Sequence, residues 1–363
     1  MQLANKEIKK SIIDRTIPEI IKKNSSVSKN KLIKFSYLLN KVGVNLIEID
    51  SRAFSIMGKL PKDLNFIYRI KKQEIITRNL LNNFRYVVIR LNDFLNLKLK
   101  DIYKLKEMKI IFEIDTDDLE KIRNEEELYR NITSQKLKFV KDILKLNNES
   151  YIRINGLNKS ILGNWKSIIE VLKKNFNMKI DVCPGNKYKM ATAVALEAFN
   201  EDTDSITMSF LGKGDKYGFA AMEEVILALK RIYGFKLEGN TRLFSELGEE
   251  YQDITDDIIP GSKPILGEDI FKYESGIHVD GIDKSPITYE PYDPEEVGQS
   301  RKMIIGKHSG SVSLIRKLKE LNINYKKINV KAFLEEVRER SIQLKGEIID
   351  DELIKISKLY GYI

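Results

Sequence analysis

The stretch "SKNKLIKFSYLLNKVGVNLIEID" (residues 28–50) contains a helix signal followed directly by a strand signal. Ser28 is a good N-cap residue, the apolar residues after it have helical spacing, and Gly43 is a typical stop. The segment 44–50 is short, apolar and rich in β-formers, which is typical of a buried strand. The stretch therefore predicts an α-helix over 28–43 and a β-strand over 44–50.

The same alternation of strand and helix signals continues on both sides of this unit, over about the first 260 residues. Helix signals cover 189–201 and 218–234. A repeated strand-then-helix order is typical of a parallel α/β fold, and the chain length and repeat count favour a (β/α)8 TIM barrel. The pattern alone leaves an open parallel sheet as the alternative. The other predicted strands are 11–17, 65–70, 86–91, 109–115, 151–156, 178–183 and 205–212.

The sequence changes in character near residue 260. Prolines cluster in "IIPGSKPILGE" (258–268) and "SPITYEPYDPEEVG" (285–298), and helix signals follow at 311–321 and 330–344. Proline and glycine at this density favour turns over regular elements. We therefore predict three parts: a barrel over 1–260, a looped linker subdomain over 261–310, and a small helical subdomain over 311–363.

Composition narrows the class of protein. Lysine and arginine number 62 against 53 acidic residues, a formal charge of +9, but the lysines are interleaved with acids, as in residues 105–127. That pattern favours solvated helix faces over a nucleic-acid partner. The apolar runs are too short to span a membrane, the N-terminus lacks a secretory signal, and there is a single cysteine. We expect a cytoplasmic protein without membrane or nucleic-acid contacts.

Both histidines of the chain lie near its C-terminal end. His278 is in "GIHVDG" (276–281) and His308 is in "GKHSG" (306–310), and no histidine precedes them. Imidazole is the usual side chain for proton transfer near neutral pH and a frequent metal ligand. Any chemistry that requires imidazole must therefore use the part of the chain that follows the predicted barrel.

The segments "ESGIHVDGIDKSPITYEPYDPEEVG" (274–298) and "IIGKHSG" (304–310) resemble the homocitrate synthase and isopropylmalate synthase family, most closely its nitrogen-fixation type. "VRERSIQLKGEIIDDEL" (337–353) resembles the tail of the same enzymes. The barrel is similar more weakly, in "MATAVALEAF" (190–199) and "GFAAMEEVILALK" (218–230). The resemblance implies a TIM barrel and an acyltransferase activity. Homocitrate synthases condense acetyl-CoA, 2-oxoglutarate and water to homocitrate and CoA.

The resemblance also implies a divalent metal at the barrel mouth, held by an aspartate and two histidines, with a neighbouring arginine. In this chain the matching stretches are "DRTIPEII" (14–21) and "CPGNK" (183–187). Pro18 takes the place of the arginine, Glu19 that of the aspartate, and Cys183 and Gly185 those of the histidines. A thiolate can bind zinc, but glycine offers no ligand. The resemblance therefore implies a degenerate barrel that binds no metal or cofactor itself.

In the family, the looped subdomain of one subunit covers the barrel mouth of another and contributes a histidine and a tyrosine there. Those positions match His278 and Tyr289. The pattern is similar to the omega type of subunit in a two-subunit homocitrate synthase. It implies that His278 and Tyr289 act in trans, on a catalytic partner subunit with an intact metal site, and that acetyl-CoA and 2-oxoglutarate are reached through that partner.

The residues leave two other functions open. One is a regulatory or scaffolding pseudoenzyme of the same family, and the other is a remodelled barrel enzyme with metal-free chemistry at Cys183, Glu19 or Asp215. His308 reads as a turn or helix-cap residue. "LGKGDKYG" (211–218) lacks the spacing of a phosphate-binding loop and reads as a strand-to-helix turn. The identity of the 2-oxo acid and of the partner is not encoded in these motifs.

Overall fold

The computed structural model describes residues 10–71, 74, 77–105, 108–116, 150–157, 165–176, 178–214 and 216–360. The chain forms two compact units, residues 1–258 and 259–363. The division into 1–260, 261–310 and 311–363 stays a prediction. Among the described residues, no helix is both long and apolar enough to cross a membrane.

The first unit is a closed barrel of eight parallel strands in chain order, with β1 paired to β8. This confirms the (β/α)8 barrel and excludes the open sheet. The strands are β1 Ser11–Asp14, β2 Leu46–Ile49, β3 Phe66–Arg69, β4 Tyr86–Arg90, β5 Lys109–Asp115, β6 Tyr151–Asn155, β7 Lys179–Cys183 and β8 Ser205–Met208. The helices described in this unit are α1 Thr16–Lys23, α2 Lys29–Lys41, α3 Ser51–Met57, α4 Arg78–Leu81, α5 Leu91–Leu95, α6 Leu99–Leu105, α7 Trp165–Phe176, α8 Ala191–Asn200, α9 Met222–Arg231 and α10 Phe244–Thr255.

The helix predicted over 28–43 is confirmed as α2, and its two ends have the expected causes. The Ser28 side chain accepts a hydrogen bond from the Lys31 amide at 3.4 Å. Gly43 follows the helix with φ +115°, and a Cβ there would lie 2.4 Å from the Glu238 carbonyl oxygen. A larger residue at 43 would be strained by its backbone angle and would also collide with a neighbouring segment.

The first strand was predicted too long. It ends at Asp14 rather than at 17, and α1 begins at Thr16. The Asp14 carboxylate accepts hydrogen bonds from the Thr16 amide at 2.8 Å and from the Thr16 hydroxyl at 2.7 Å. An aspartate bonded to the backbone two residues ahead turns the chain, so the apolar Ile17 belongs to the helix despite its β-propensity.

The barrel interior has an apolar layer and a charged layer. Residues two apart on a strand point to the same face, so each inward apolar residue is followed by an inward residue nearer the carboxyl end of the strand. On five strands that next residue is charged. The pairs are Leu46 and Glu48, Ile67 and Arg69, Val88 and Arg90, Ile111 and Glu113, and Tyr151 and Arg153. The charged layer therefore lies toward the end of the barrel where TIM-barrel enzymes place their active sites.

In the described part of the second unit, the regular elements are a short parallel pair of strands, four α-helices and a few short 3-10 turns. The strands are β9 Lys272–Tyr273 and β10 Lys302–Met303, and the helices are α11 Gly276–Lys284, α12 Ser311–Glu320, α13 Val330–Leu344 and α14 Asp350–Leu359. The predicted helices at 311–321 and 330–344 are confirmed. The last three helices bury their own apolar cluster, which includes Leu314, Val337 and Leu353. The second unit therefore has a hydrophobic core of its own.

Candidate functional site

A pocket of about 450 Å³ opens at the carboxyl ends of the barrel strands. Arg15 reaches it from the end of β1, Asp115 from β5, Asn155 from β6 and Gly185 from beyond β7. This is the end of a TIM barrel at which loops and strand ends build active sites. It is also where the resemblance places the family's metal.

Arg15 occupies the barrel mouth, although Pro18 leaves no guanidinium at the family's arginine position. Its Nη1 donates to the Cys183 thiol sulfur at 3.4 Å, and its guanidinium carbon lies 4.1 Å from the centre of the Phe219 ring. Its Nε is 4.0 Å from a carboxylate oxygen of Glu48. A cation thus lies against Cys183, one of the degenerate metal positions. It comes from Arg15, three residues before Pro18, which takes the place of the family's arginine.

The three degenerate metal positions do not fit a divalent ion. Glu19 lies on α1, and both of its carboxylate oxygens accept hydrogen bonds from the Lys22 ammonium, at 2.8 and 2.9 Å. Gly185 has no ligand atom, and a Cβ there would lie only 3.2 Å from the Gly156 Cα. Among the described residues, no group of three or more histidine, cysteine or acidic side chains is placed to hold a metal. The cationic Arg15 beside Cys183 would repel a second cation.

The Cys183 thiol is held in its neutral form. Burial raises its pKa to about 11, although Arg15 and Arg153 act in the opposite direction. A thiol is nucleophilic, and a good metal ligand, only when deprotonated. The geometry therefore favours an inert cysteine over the reactive one that a metal-free enzyme at Cys183 would need.

We expect the native chain to resist thiol reagents at neutral pH. Cys183 is the only cysteine of the sequence and is fully buried, so any labelling by a thiol reagent reports on this residue alone. Release of thionitrobenzoate from Ellman's reagent should be slow for the folded protein and should rise to one equivalent only in denaturant. Rapid labelling of the folded chain would show an accessible thiolate and would contradict this assignment.

Beneath the pocket, a network of buried ion pairs fills the charged layer of the barrel. Arg153 donates to Glu48 and to Asp181, each at 2.5 Å. Arg69 donates twice to Glu113, at 2.8 and 2.5 Å. Although burial alone would raise the pKa of Glu48, Arg69 and Arg153 lower it to about 2. The Glu48 carboxylate is therefore ionised, and its charge is compensated by arginines inside the barrel.

The network was not predicted from the sequence, although a signal for it is present. The strands "LIEI" (46–49), "FIYR" (66–69), "KIIFEID" (109–115), "YIRIN" (151–155) and "KIDVC" (179–183) each place a charged residue within an apolar run. A single charged residue in one buried parallel strand does not by itself predict an interior network. Charges of both signs at similar positions in five strands of one closed barrel indicate an interior network.

The structure brings His278 and Tyr289 together in the second unit. His278 lies in the first turn of α11, which begins after the N-cap Ser275, and Tyr289 follows the short 3-10 turn Pro286–Thr288. The two ring centroids are 4.8 Å apart, with the planes tilted by 57°. Both side chains are exposed. The pair presents an imidazole and a phenol side by side to whatever contacts this surface.

Gly281 explains the spacing of the motif that carries the pair. A Cβ on Gly281 would lie 2.2 Å from Cε2 of Tyr289, so only glycine lets the phenol ring rest against α11. Gly281 is one helical turn after His278, which places the ring beside the imidazole. The glycine that ends "GIHVDG" is therefore a positioning residue for the histidine–tyrosine pair.

We expect Gly281→Ala to displace the Tyr289 ring while leaving α11 folded, because alanine is a better helix former than glycine. Gly276→Ala is the matched control, since a Cβ there meets only the Ser313 hydroxyl, at 3.5 Å. The measurement is the NMR shift of the His278 ring protons, which the Tyr289 ring current perturbs. The perturbation should be lost in Gly281→Ala and kept in Gly276→Ala. Its retention in both variants would show that glycine at 281 does not place the ring.

His308 lies in a turn, as the sequence predicts. Its amide donates to the Glu274 carboxylate at 2.6 Å, and its imidazole is exposed. "LGKGDKYG" belongs to the connection between β8 and α9, in which Gly212 and Gly218 have positive φ. This agrees with the predicted strand-to-helix turn. Asp215 lies outside the described residues.

A family model matches part of the chain, and two known relatives align with it, one over nearly its whole length and one over about half. Residues 265–344 match the family model described as "Homocitrate synthase post-HMGL domain-like". The chain is 42% identical to the "Homocitrate synthase, omega subunit" of Clostridium pasteurianum, an alignment that covers 98% of this chain and 97% of that protein. It is 35% identical to "Homocitrate synthase 1" of Nostoc sp., with alignment over 53% of this chain and 52% of that protein.

Solved structures support the barrel. An HMG-CoA lyase from Acinetobacter baumannii superimposes with a TM-score of 0.51 at 13% identity, over 69% of this chain and 92% of that one. At this identity the likeness concerns the fold alone.

Proposed function

The chain belongs to the homocitrate synthase family, and from that membership we propose that it is a subunit that binds no metal itself and completes the active site of a metal-binding partner. The reaction would be the condensation of acetyl-CoA with 2-oxoglutarate and water to homocitrate and CoA. The full-length relative named an omega subunit supports a division of labour between two chains.

One contrast within the chain carries the proposal. The barrel mouth holds a glycine, a neutral thiol and an arginine where the family holds its metal. The second unit instead keeps an imidazole and a phenol in contact and exposed. A histidine and a tyrosine held together without a metal site of their own are useful if they serve another subunit's site.

The surface around the pair supports contact with a partner. Ile277 and Ile287, next to the pair in sequence, are 75% and 83% exposed. Large apolar side chains beside functional groups are typical of surfaces that a partner covers. The partner we propose is a homocitrate synthase subunit whose barrel keeps the aspartate and the two histidines.

In such a complex the partner's metal would polarise the 2-oxo acid carbonyl. His278 would exchange a proton at the reacting centre, because imidazole accepts and donates protons near neutrality. The Tyr289 phenol would hold the imidazole in place by ring contact and offer its hydroxyl as a hydrogen-bond donor to developing negative charge. Gly281 would leave room for the Tyr289 ring beside the His278 ring.

The test is reconstitution. The purified chain, supplied with acetyl-CoA, 2-oxoglutarate and a divalent metal, is expected to release no CoA. Mixed with a metal-binding homocitrate synthase subunit that lacks its own C-terminal region, it is expected to restore CoA release. Turnover by the isolated chain without metal would favour the remodelled barrel enzyme. A complex that forms but does not turn over would favour the scaffolding function.

A further inference from the structure

The pocket at the barrel mouth is rich in cations. Its lining includes four basic side chains, Arg15, Arg90, Lys187 and Lys216, and one acidic side chain, Asp115. Its volume of about 450 Å³ is in the range of small-molecule sites, about 300–1,000 Å³. A concave surface with an excess of one charge concentrates ions of the opposite sign. The pocket is thus suited to an anion.

Arg15 is fixed in a way that leaves one of its donors available. Nη1 donates to Cys183, Nε faces Glu48 at 4.0 Å, and Phe219 covers one face of the guanidinium. Within the described part of the chain, Nη2 has no hydrogen-bond partner, and the side chain is 11% exposed, at the pocket wall. An immobilised guanidinium with a remaining N–H is a preorganised anchor for a carboxylate oxygen.

The other three cations lie at the rim. Arg90 is half-exposed and only loosely paired, with Nε 3.7 Å from Glu113 and 3.9 Å from Asp115. Lys187 and Lys216 are exposed, and neither forms an ion pair with a residue in the described part of the chain. An anion held at Arg15 would therefore find further positive charge about its outer end.

We propose that the barrel mouth binds a small dicarboxylate, with one carboxylate on Arg15 and the other among the rim cations, and without a metal ion. The guanidinium replaces the positive charge that a divalent ion gives the family's substrate pocket. The site would let the barrel sense a carboxylate metabolite without turning it over. This inference does not depend on the proposed function of His278 and Tyr289.

The test is calorimetric titration of the full chain with succinate in the presence of EDTA. We expect saturable binding that weakens as the salt concentration rises. Arg15→Gln should weaken it about tenfold or more, because a hydrogen bond between charged groups is lost. Arg242→Gln removes the same charge from an exposed arginine outside the pocket and should leave the affinity unchanged. Absence of saturable binding, or equal affinity in Arg15→Gln, would overturn the proposal.

A second variant keeps the test decisive if Arg15→Gln does not fold. Lys187→Gln combined with Lys216→Gln alters two exposed side chains and should leave the melting temperature unchanged. The double variant should weaken the binding of succinate more than the binding of acetate. It removes positive charge that would contact the second carboxylate, which acetate lacks. An unchanged affinity for succinate, or tighter binding of inorganic phosphate than of succinate, would contradict a dicarboxylate site.

Discussion

Replacing His278 by alanine is expected to lower the turnover of the reconstituted complex by about 10²–10⁴-fold, the usual contribution of a positioned acid or base. Complex formation should persist, because the change removes only an exposed ring beside Tyr289. The loss should appear in kcat rather than in the KM for 2-oxoglutarate, since the residue is proposed to act in proton transfer and not in holding that substrate.

His308→Ala is the matched control for this experiment. It removes the only other histidine of the chain, which is also exposed but lies in the turn that Glu274 holds through its backbone amide. We expect it to leave turnover unchanged. If His278→Ala also left turnover unchanged while the complex formed, the chain would be a scaffolding subunit, and the proposed role of the pair would be wrong.

The second large effect expected is on stability. Arg153→Met should lower the free energy of unfolding by about 3–5 kcal/mol, because removing one member of a buried ion pair leaves a charge uncompensated. Here the residues left behind are Glu48 and Asp181, both fully buried. Urea denaturation followed by circular dichroism measures the change.

Arg52→Met provides the comparison on the surface of the same barrel. Arg52 is about half exposed and lies 3.4 Å from Asp50, which Lys71 also contacts at 2.5 Å. Asp50 is buried, but Lys71 still compensates its charge when Arg52 is removed, so the loss of the half-exposed Arg52 should cost only about 0–1 kcal/mol. Equal destabilisation by the two substitutions would mean that the charges inside the barrel are hydrated, and that the network is not a buried structural core.

Most of the fold follows from local sequence signals. Ser28 and Gly43 mark the ends of α2 because a capping hydroxyl and a positive φ act within a few residues. The boundary of β1 could not be predicted in this way. There the Asp14 side chain competes with the strand for the Thr16 amide, and β-propensity takes no account of such a bond.

The site was predictable in part. The replacement of the family's metal ligands could be predicted from residue identity, above all Gly185 in the place of a histidine. The motif that carries His278 and Tyr289 could be predicted in the same way. The arginine at the mouth was not, because Arg15 precedes the family's arginine position by three residues and reaches Cys183 only through the turn at the end of β1. Contacts between distant strands require the closed barrel.

We propose that this chain, unlike the enzymes that it resembles, holds no divalent cation, and the most direct test is its metal content. The isolated chain would be exposed to excess zinc, manganese or magnesium, passed through gel filtration and analysed for metal, beside a homocitrate synthase with an intact metal site. We predict that the relative retains its ion and that this chain retains none. A tightly held ion in this chain, lost in Cys183→Ser, would contradict the account.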